Sequence, residues 1–142
     1  MITYFDASAL VKRYIHEVGS DQVQQWLVLP RPATSRWSQV EILSALSRRS
    51  REGRVSPAER NAMAADLSDD LAGFLLVELT DEVIAACDAL LARHPLRAGD
   101  CVQLASALVL KQRTGQPVMF HAFDQRLSKA AVLEGLLVEA LP

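Results

Sequence analysis

The sequence predicts an α/β fold with a mostly parallel central sheet and helices on both faces. Short runs rich in β-branched and aromatic residues alternate with longer segments whose apolar residues follow helical spacing. This alternation is typical of parallel sheets, because each crossover helix packs back onto a face of the sheet. The 142 residues contain no internal repeat or linker, so residues 1–142 are expected to form one domain. The predicted strands cover 2–6, 74–79, 118–123 and 136–140.

The helices are predicted from their apolar periodicity and from start and stop signals. Ser8 is the expected cap of the first helix. Pro30 and Pro32 are expected to break the chain before the long third helix, which Gly53 is placed to end. Segment 56–59 combines a capping serine, a proline at the first helical position and a glutamate three residues after the cap, which is a strong start signal. In chain order the predicted helices cover 8–14, 20–29, 36–52, 57–71, 81–94, 98–113 and 125–134.

Composition limits the class of protein. A net charge of −2 gives no overall basic surface, so any surface for nucleic acid would have to be local. Cys87 and Cys101 lie apart in apolar surroundings, which is typical of core thiols rather than of a disulfide scaffold or a zinc site. The apolar start lacks the basic lead of a signal peptide, and no apolar run has the length of a membrane span. We therefore expect a cytoplasmic protein without a membrane segment.

Three aspartates lie at the edges of segments that should form the core. Asp6 ends the first predicted strand and Asp124 follows the third, so both fall at a carboxyl end of a strand. Asp100 lies in the first turn of its helix, where the helix dipole favours a negative charge. Ligands of open parallel sheets bind at the carboxyl ends of the strands. These side chains are therefore expected to meet at one rim of the sheet.

Glu41 is a fourth acid in an unusual position. It is the only formal charge between Arg36 and Arg48, in the middle of the long predicted helix. Helical spacing groups it with Trp37, Val40 and Ser44, and we expect this face to point toward the interior. Four acids from four separate elements could thus converge on one rim.

Converging carboxylates need a positive partner. Two carboxylates about 4 Å apart repel by roughly 4 kcal/mol at an effective dielectric constant near 20. A hard divalent cation such as Mg²⁺ or Mn²⁺ prefers oxygen ligands and reverses this repulsion. One or two such ions can activate a water and stabilise an in-line phosphoryl displacement. Metal-assisted hydrolysis of a phosphodiester is the chemistry that such a site favours.

Simpler explanations exist for each acid alone. Asp6 could be a turn residue, Asp100 and Asp124 could be helix caps, and Glu41 could pair with an arginine. Only the combination of the four carries information about function.

Four segments of the chain resemble the motifs of PIN-domain nucleases, particularly the VapC-type toxins of bacterial and archaeal toxin–antitoxin pairs. Their order and spacing extend over residues 2–139. Each motif alone is weakly specific, whereas the ordered set is specific. The segments are YFDASALVK at 4–12, VEILSAL at 40–46, LRAGDCVQLASAL at 96–108 and FDQRL at 123–127, the last followed by Lys129-Ala130-Ala131 and Gly135.

The resemblance implies a PIN-like three-layer α/β/α fold and a Mg²⁺- or Mn²⁺-dependent endoribonuclease that hydrolyses RNA with a metal-activated water. It also implies a cognate antitoxin that blocks the site, and a homodimer. Asp6, Glu41 and Asp100 carry over as catalytic metal ligands, with Asp124 as a fourth acid. Gln103 stands where many relatives have histidine, and Ala122 stands where many have a hydroxyl; both departures bear on fine positioning.

The expected chemistry suggests accessory roles for a few further residues. Ser8 is expected to help fix a water near the acids. Lys12, Arg13, Arg48 and Arg49 are expected to hold the phosphate backbone of RNA, because phosphate contacts position a substrate without reading its sequence.

Other functions fit the sequence less well. A haloacid-dehalogenase type of phosphotransferase would need a second acid two residues after Asp6, where Ser8 stands, and the segment near 79–80 offers no match to a receiver domain. No glycine-rich loop indicates a nucleotide-binding enzyme. The alternative that remains is a catalytically silent PIN-like module that binds RNA or protein.

Overall fold

A four-stranded sheet lies at the centre of residues 1–139, which are the residues that the computed structural model describes. Its strands run side by side in the order β3-β2-β1-β4. Every pair of neighbours is parallel, which confirms the predicted parallel sheet. The strands are β1 (Ile2–Phe5), β2 (Pro32–Ser35), β3 (Leu75–Val77) and β4 (Val118–His121).

The helices lie close to their predicted positions. The capping box of α4 is present, because the Ser56 hydroxyl accepts from Glu59 N and the Glu59 carboxylate accepts from Ser56 N. The cap of the first helix is Asp6, whose carboxylate accepts from Ala9 N, so the prediction of Ser8 as the cap was wrong. The helices are α1 (Ala7–Leu10), which a 3₁₀ turn (Val11–Arg13) continues, α2 (Ser20–Leu27), α3 (Arg36–Arg51), α4 (Pro57–Leu71), α5 (Asp81–Arg93), α6 (Ala98–Thr114) and α7 (Gln125–Leu133).

Strand β2 is the main departure from the prediction. The sequence indicates only a chain break at Pro30 and Pro32, but Pro32 begins a strand between β1 and β3. Proline is tolerated at the first position of a strand, because its missing N–H then removes few of the hydrogen bonds between neighbouring strands. Ala33 and Thr34 are fully buried. The neighbouring strands therefore determine this segment, because its own residues carry almost no strand signal.

The end of the chain also differs from the prediction. Strand β4 ends at His121, two residues earlier than expected. The expected last strand, 136–140, forms a single parallel bridge between Leu137 and Met119, and residue 140 lies outside the described residues. Leu137 O accepts from Phe120 N at 2.8 Å, so this segment extends the sheet beside β4.

Two apolar clusters cover the two faces of the sheet. Ile2, Tyr4 and Phe120 pack with residues of α5, α6 and α7 on one face. Phe5 points to the opposite face and packs with residues of α1 to α4, among them Ile42. Alternate residues of β1 thus enter different layers, as the pleat of a strand requires. The predicted three-layer α/β/α arrangement is confirmed. Among residues 1–139, every helix is too short or too polar to span a bilayer.

Candidate active site

The four predicted acids approach one another around the carboxyl end of the sheet. Asp6 directly follows β1, and Asp124 lies three residues after the end of the adjacent strand β4. Helix α3, which carries Glu41, begins where β2 ends, and Asp100 lies in the first turn of α6. Strand β1 lies between β2, the next strand in the chain, and β4, the last, so the order of the strands reverses at β1. Such switch points are the usual ligand sites of parallel sheets.

Asp6 is the most deeply buried of these acids, with 2% of its surface exposed. Its Oδ1 accepts from the Ser8 hydroxyl at 2.7 Å and from Ala9 N at 2.9 Å, and its Oδ2 lies 2.9 Å from the same hydroxyl. Burial, together with the negative charges of Asp100 and Glu41, raises the pKa of Asp6 to about 7, against the opposing effect of the hydrogen bonds from Ser8 and Ala9. The three carboxylates are therefore close enough to repel one another.

Glu41 lies at the boundary between core and solvent. Its Oε1 accepts from Trp37 Nε1 at 2.8 Å, and its Oε2 accepts from Gln103 Nε2 at 3.4 Å. Burial raises the pKa of Glu41, and the charge of Asp100 adds to that effect. These contacts leave the carboxylate half-buried and aimed at the first turn of α6.

The helix face that carries Glu41 differs from the expected one. The sequence places Glu41 on an interior face with Trp37, Val40 and Ser44, but all three of these residues are exposed, Val40 to 52%. The face of α3 that enters the core carries Ser38, Ile42 and Leu46. The prediction was wrong because the apolar residues of this helix occupy both faces, so spacing alone did not identify the buried one.

A buried hydrogen-bond network holds Gln103 beside Glu41. The Tyr4 hydroxyl donates to Gln103 Oε1 at 2.8 Å, and Gln103 Nε2 donates to Ser38 Oγ at 2.8 Å. The Ser38 and Thr34 hydroxyls lie 2.7 Å apart. The side-chain amide of Gln103 thus donates one hydrogen bond to Ser38, and its second N–H points toward Glu41.

Gly99 allows the close approach of Glu41 to α6. A Cβ atom at this position would lie 2.5 Å from Glu41 Oε1 and 3.7 Å from Trp37 Nε1. Carbon and carboxylate oxygen do not approach so closely without displacement, so any larger residue would push Glu41 away. The small residue before Asp100 therefore sets the distance between α3 and the acid of α6.

Asp100 and Asp124 line a cleft of about 180 Å³ together with Arg97 and Arg126. Burial raises the pKa of Asp100, the charge of Asp124 raises it further, and Arg97 opposes both effects. Asp124 caps α7 through Leu127 N at 3.0 Å. The four acids therefore form a connected series, with Asp100 as the member that links Asp124 to the others.

The comparison with known proteins gives the family of this chain. Residues 3–133 match the PIN domain family. The chain belongs to the PIN domain family. It is 34% identical over 139 residues to the ribonuclease VapC45 of Mycobacterium tuberculosis, an alignment that covers 96% of this chain and 94% of that protein. The expected resemblance to VapC proteins is thereby confirmed.

Solved structures show the same PIN fold. VapC20 of Mycobacterium tuberculosis, described as a toxin that cleaves the sarcin-ricin loop, is 20% identical with a TM-score of 0.66, over 90% of this chain and 94% of that one. The VapBC2 complex of Rickettsia felis, bound to a DNA fragment of its promoter, is 10% identical with a TM-score of 0.67, over 98% of each chain. At these identities the likeness concerns the fold.

The donor chemistry of this PIN domain fits a hard divalent cation, because four carboxylates offer oxygen ligands alone. Within residues 1–139, however, no three carboxylate, histidine or cysteine side chains already stand as a ligand set. The carboxylates would have to turn inward to share one ion. Ser8 ties two parts of the rim together, because its hydroxyl donates to Asp6 and accepts from Phe123 N at 3.3 Å, next to Asp124.

The basic residues that the sequence proposes for RNA have differing surroundings. Lys12 binds Glu17 at 2.9 Å, and Arg49 binds the same carboxylate at 3.3 Å. Arg13 lies 3.4 Å from a carboxylate oxygen of Asp70, whereas Arg48 is exposed. Their role with RNA stays a prediction.

Sequence reasoning missed the two arginines of the acidic cleft. Arg97 precedes Asp100 by three residues and Arg126 follows Asp124 by two, so each lies on the element that carries an acid. Closeness in sequence to a predicted acid is the signal that could have found them. The prediction instead chose arginines of the cluster at 48–54, where basic residues are more closely spaced in the sequence.

Proposed function

We propose that this PIN domain is a divalent-metal-dependent endoribonuclease that acts as the toxin of a toxin–antitoxin pair. The observation that carries the proposal is the convergence of four acids at the carboxyl end of the sheet. Asp100 and Asp124 line one cleft, Glu41 lies against Gly99 directly before Asp100, and Asp6 and Asp124 follow adjacent strands. The name of a relative 34% identical over almost the whole chain, a VapC ribonuclease, supports the same activity.

The four carboxylates would hold Mg²⁺, or Mn²⁺ in its place. When bound, the cation supplies Lewis acidity that activates water and neutralises charge on the phosphate. Asp6 is held for this task by Ser8 and by Ala9 N, and Glu41 is held by Trp37. Asp6 directly follows strand β1 and Glu41 lies within helix α3, so these oxygen ligands stand on or beside regular elements, which keeps them near the geometry that the reaction needs.

We also propose an antitoxin partner and a homodimer. The VapBC2 structure, in which a VapC-like chain belongs to a VapB–VapC assembly, supports the first. A basic side chain of the antitoxin placed among the carboxylates would displace the cation and silence the enzyme. Copurification of a second small protein from the native host tests for the antitoxin. Light scattering on the purified chain tests for the homodimer.

The activity is tested by replacing Asp100 with asparagine. Asp100→Asn removes one charge from the centre of the series with almost no change in volume. We expect cleavage of cellular RNA to fall about 100-fold or more, the loss typical of removing one group that stabilises charge in the transition state. Growth inhibition should disappear, while the circular dichroism spectrum and the thermal midpoint stay near those of the wild type.

Asp88→Asn is the matched control, because Asp88 is an exposed acid on α5 and the chemical change is the same. Undiminished cleavage by Asp100→Asn would remove Asp100 from the site. A wild-type chain that binds RNA or an antitoxin, but cleaves no RNA with Mg²⁺ or Mn²⁺, would instead be the silent PIN-like module.

A further inference from the structure

Two arginines lie in the acidic cleft without a protein partner. Arg97 and Arg126 line the cleft with Asp100 and Asp124, and both are exposed. Within residues 1–139, neither guanidinium forms an ion pair or a side-chain hydrogen bond. Arg97 is near enough to lower the pKa of Asp100, yet it does not bind that carboxylate. Their donors therefore remain available to a ligand.

Most other arginines of the described chain have carboxylate partners. Arg13 pairs with Asp70, Arg49 with Glu17, and Arg113 with Glu82. A paired arginine that binds a phosphate must give up its carboxylate, which offsets part of the gain. Arginines that lie beside acids but remain unpaired bind an incoming anion without that cost.

We propose that Arg97 and Arg126 bind the phosphate backbone of the RNA beside the bond that is cut. This inference rests on the proposed ribonuclease activity and names residues that position its substrate. A guanidinium presents a planar fork of donors that fits two phosphate oxygens, which makes arginine the usual choice for this contact. Arg97 directly precedes α6 and Arg126 lies in the first turn of α7, so the two guanidinium groups reach the cleft from different elements.

The size of the cleft favours a phosphate over a base. Its volume of about 180 Å³ lies below the range of roughly 300–1,000 Å³ that is typical of sites for whole small molecules. Its lining is mainly charged, with Pro95 and Leu96 beside the two acids and two arginines, and these described residues offer none of the aromatic surface on which unpaired bases stack. The cleft thus accommodates the charged linkage of a nucleic acid, and base recognition belongs elsewhere on the surface.

The experiment measures RNA binding as a function of salt. The probe is a fluorescein-labelled, mixed-sequence, single-stranded RNA of 20 nucleotides in EDTA, so that binding is separated from cleavage. The proteins are the full-length wild type, Arg97→Gln, Arg126→Gln and the double variant. Each lost phosphate contact should weaken binding at low salt by several-fold and reduce the slope of log K against log salt by about 0.7.

Arg113→Gln is the matched control because it makes the same change at the other end of α6. Arg113 lies 13 residues after Asp100, which is about 20 Å along a helix. Its RNA affinity and its salt slope should equal those of the wild type.

A titration with Mn²⁺ separates phosphate binding from a structural effect. Removing a positive charge beside carboxylates should leave Mn²⁺ affinity equal or increase it, while RNA binding weakens. If Arg97→Gln and Arg126→Gln bind RNA with the affinity and salt slope of a wild type that cleaves RNA, the inference is overturned and the proposed function stands. Parallel loss of Mn²⁺ and RNA binding would also overturn it, because the arginines would then maintain the acids. A wild type that neither binds nor cleaves RNA would overturn both proposals.

Discussion

Gly99 shows how one missing side chain sets the geometry of the site. A methyl group there would lie 2.5 Å from Glu41 Oε1, so Gly99→Ala should displace the Glu41 carboxylate. Alanine is otherwise favoured over glycine inside a helix by up to about 1 kcal/mol. We therefore expect RNA cleavage to fall at least about 10-fold. The free energy of unfolding should stay the same or increase.

Gly73→Ala is the control for this prediction, because a Cβ atom at Gly73 would have an ordinary contact of 3.5 Å with Asp70 O. Cleavage assays and chemical denaturation of both variants give the comparison. Full activity in Gly99→Ala would show that the position of Glu41 beside α6 does not matter to the reaction.

The acids were predictable from sequence because their chemistry conflicts with their surroundings. Asp6 and Glu41 stand among apolar neighbours, where an unpaired charge is costly, so each required an explanation. Arg97 and Arg126 lie at the starts of α6 and α7, where the helix dipole disfavours a positive charge, but this conflict is small at an exposed position and the prediction did not use it. Arg97 stands three residues before Asp100 and Arg126 two residues after Asp124, but the prediction followed the denser cluster of arginines at 48–54.

At the scale of elements, Gln103 connects four parts of the fold. It accepts from Tyr4 of β1, donates to Ser38 of α3, and turns its second proton toward Glu41, while Ser38 contacts Thr34 of β2. Gln103→Leu leaves the buried Tyr4 hydroxyl without its acceptor. We expect the free energy of unfolding to fall by about 1–3 kcal/mol.

The same substitution should reduce RNA cleavage by roughly 10–100-fold, the usual effect of removing a group that orients a metal ligand. Urea denaturation gives the first quantity and a cleavage assay in Mg²⁺ gives the second. Gln103→His tests the same position by restoring a polar side chain. If Gln103→Leu retained full cleavage, Glu41 would not depend on this network.

The elements themselves differ in how well sequence predicts them. Helix α4 carries its own start signal in segment 56–59, so its first residue was predicted correctly. Strand β2 carries no such signal: it begins with a proline, and its buried Thr34 and Ser35 are polar. It is a strand because β1 and β3 supply hydrogen bonds on both sides. Local propensity is a weak guide wherever the partners in the sheet decide the conformation.

At the scale of the whole molecule, the sheet order brings distant parts of the chain together. Asp6 and Asp124 are separated by most of the sequence, yet they follow adjacent parallel strands. Residues of α3 and α6 approach the same rim from the two helical layers. The site therefore depends on the complete three-layer fold, which is why its acids come from four segments of the sequence.

The central claim is that these mutually repelling acids bind a divalent cation, and a measurement of metal affinity tests it most directly. Isothermal titration with Mn²⁺ compares the wild type with Asp6→Asn, Glu41→Gln and the surface control Asp88→Asn. Mn²⁺ serves because it shares the preference of Mg²⁺ for oxygen ligands. The account predicts saturable binding by the wild type and the control, and affinity at least about 10-fold lower in the two site variants, since ligand charge sets affinity in such sites. Equal affinity in all four proteins, or no binding by the wild type, would contradict it.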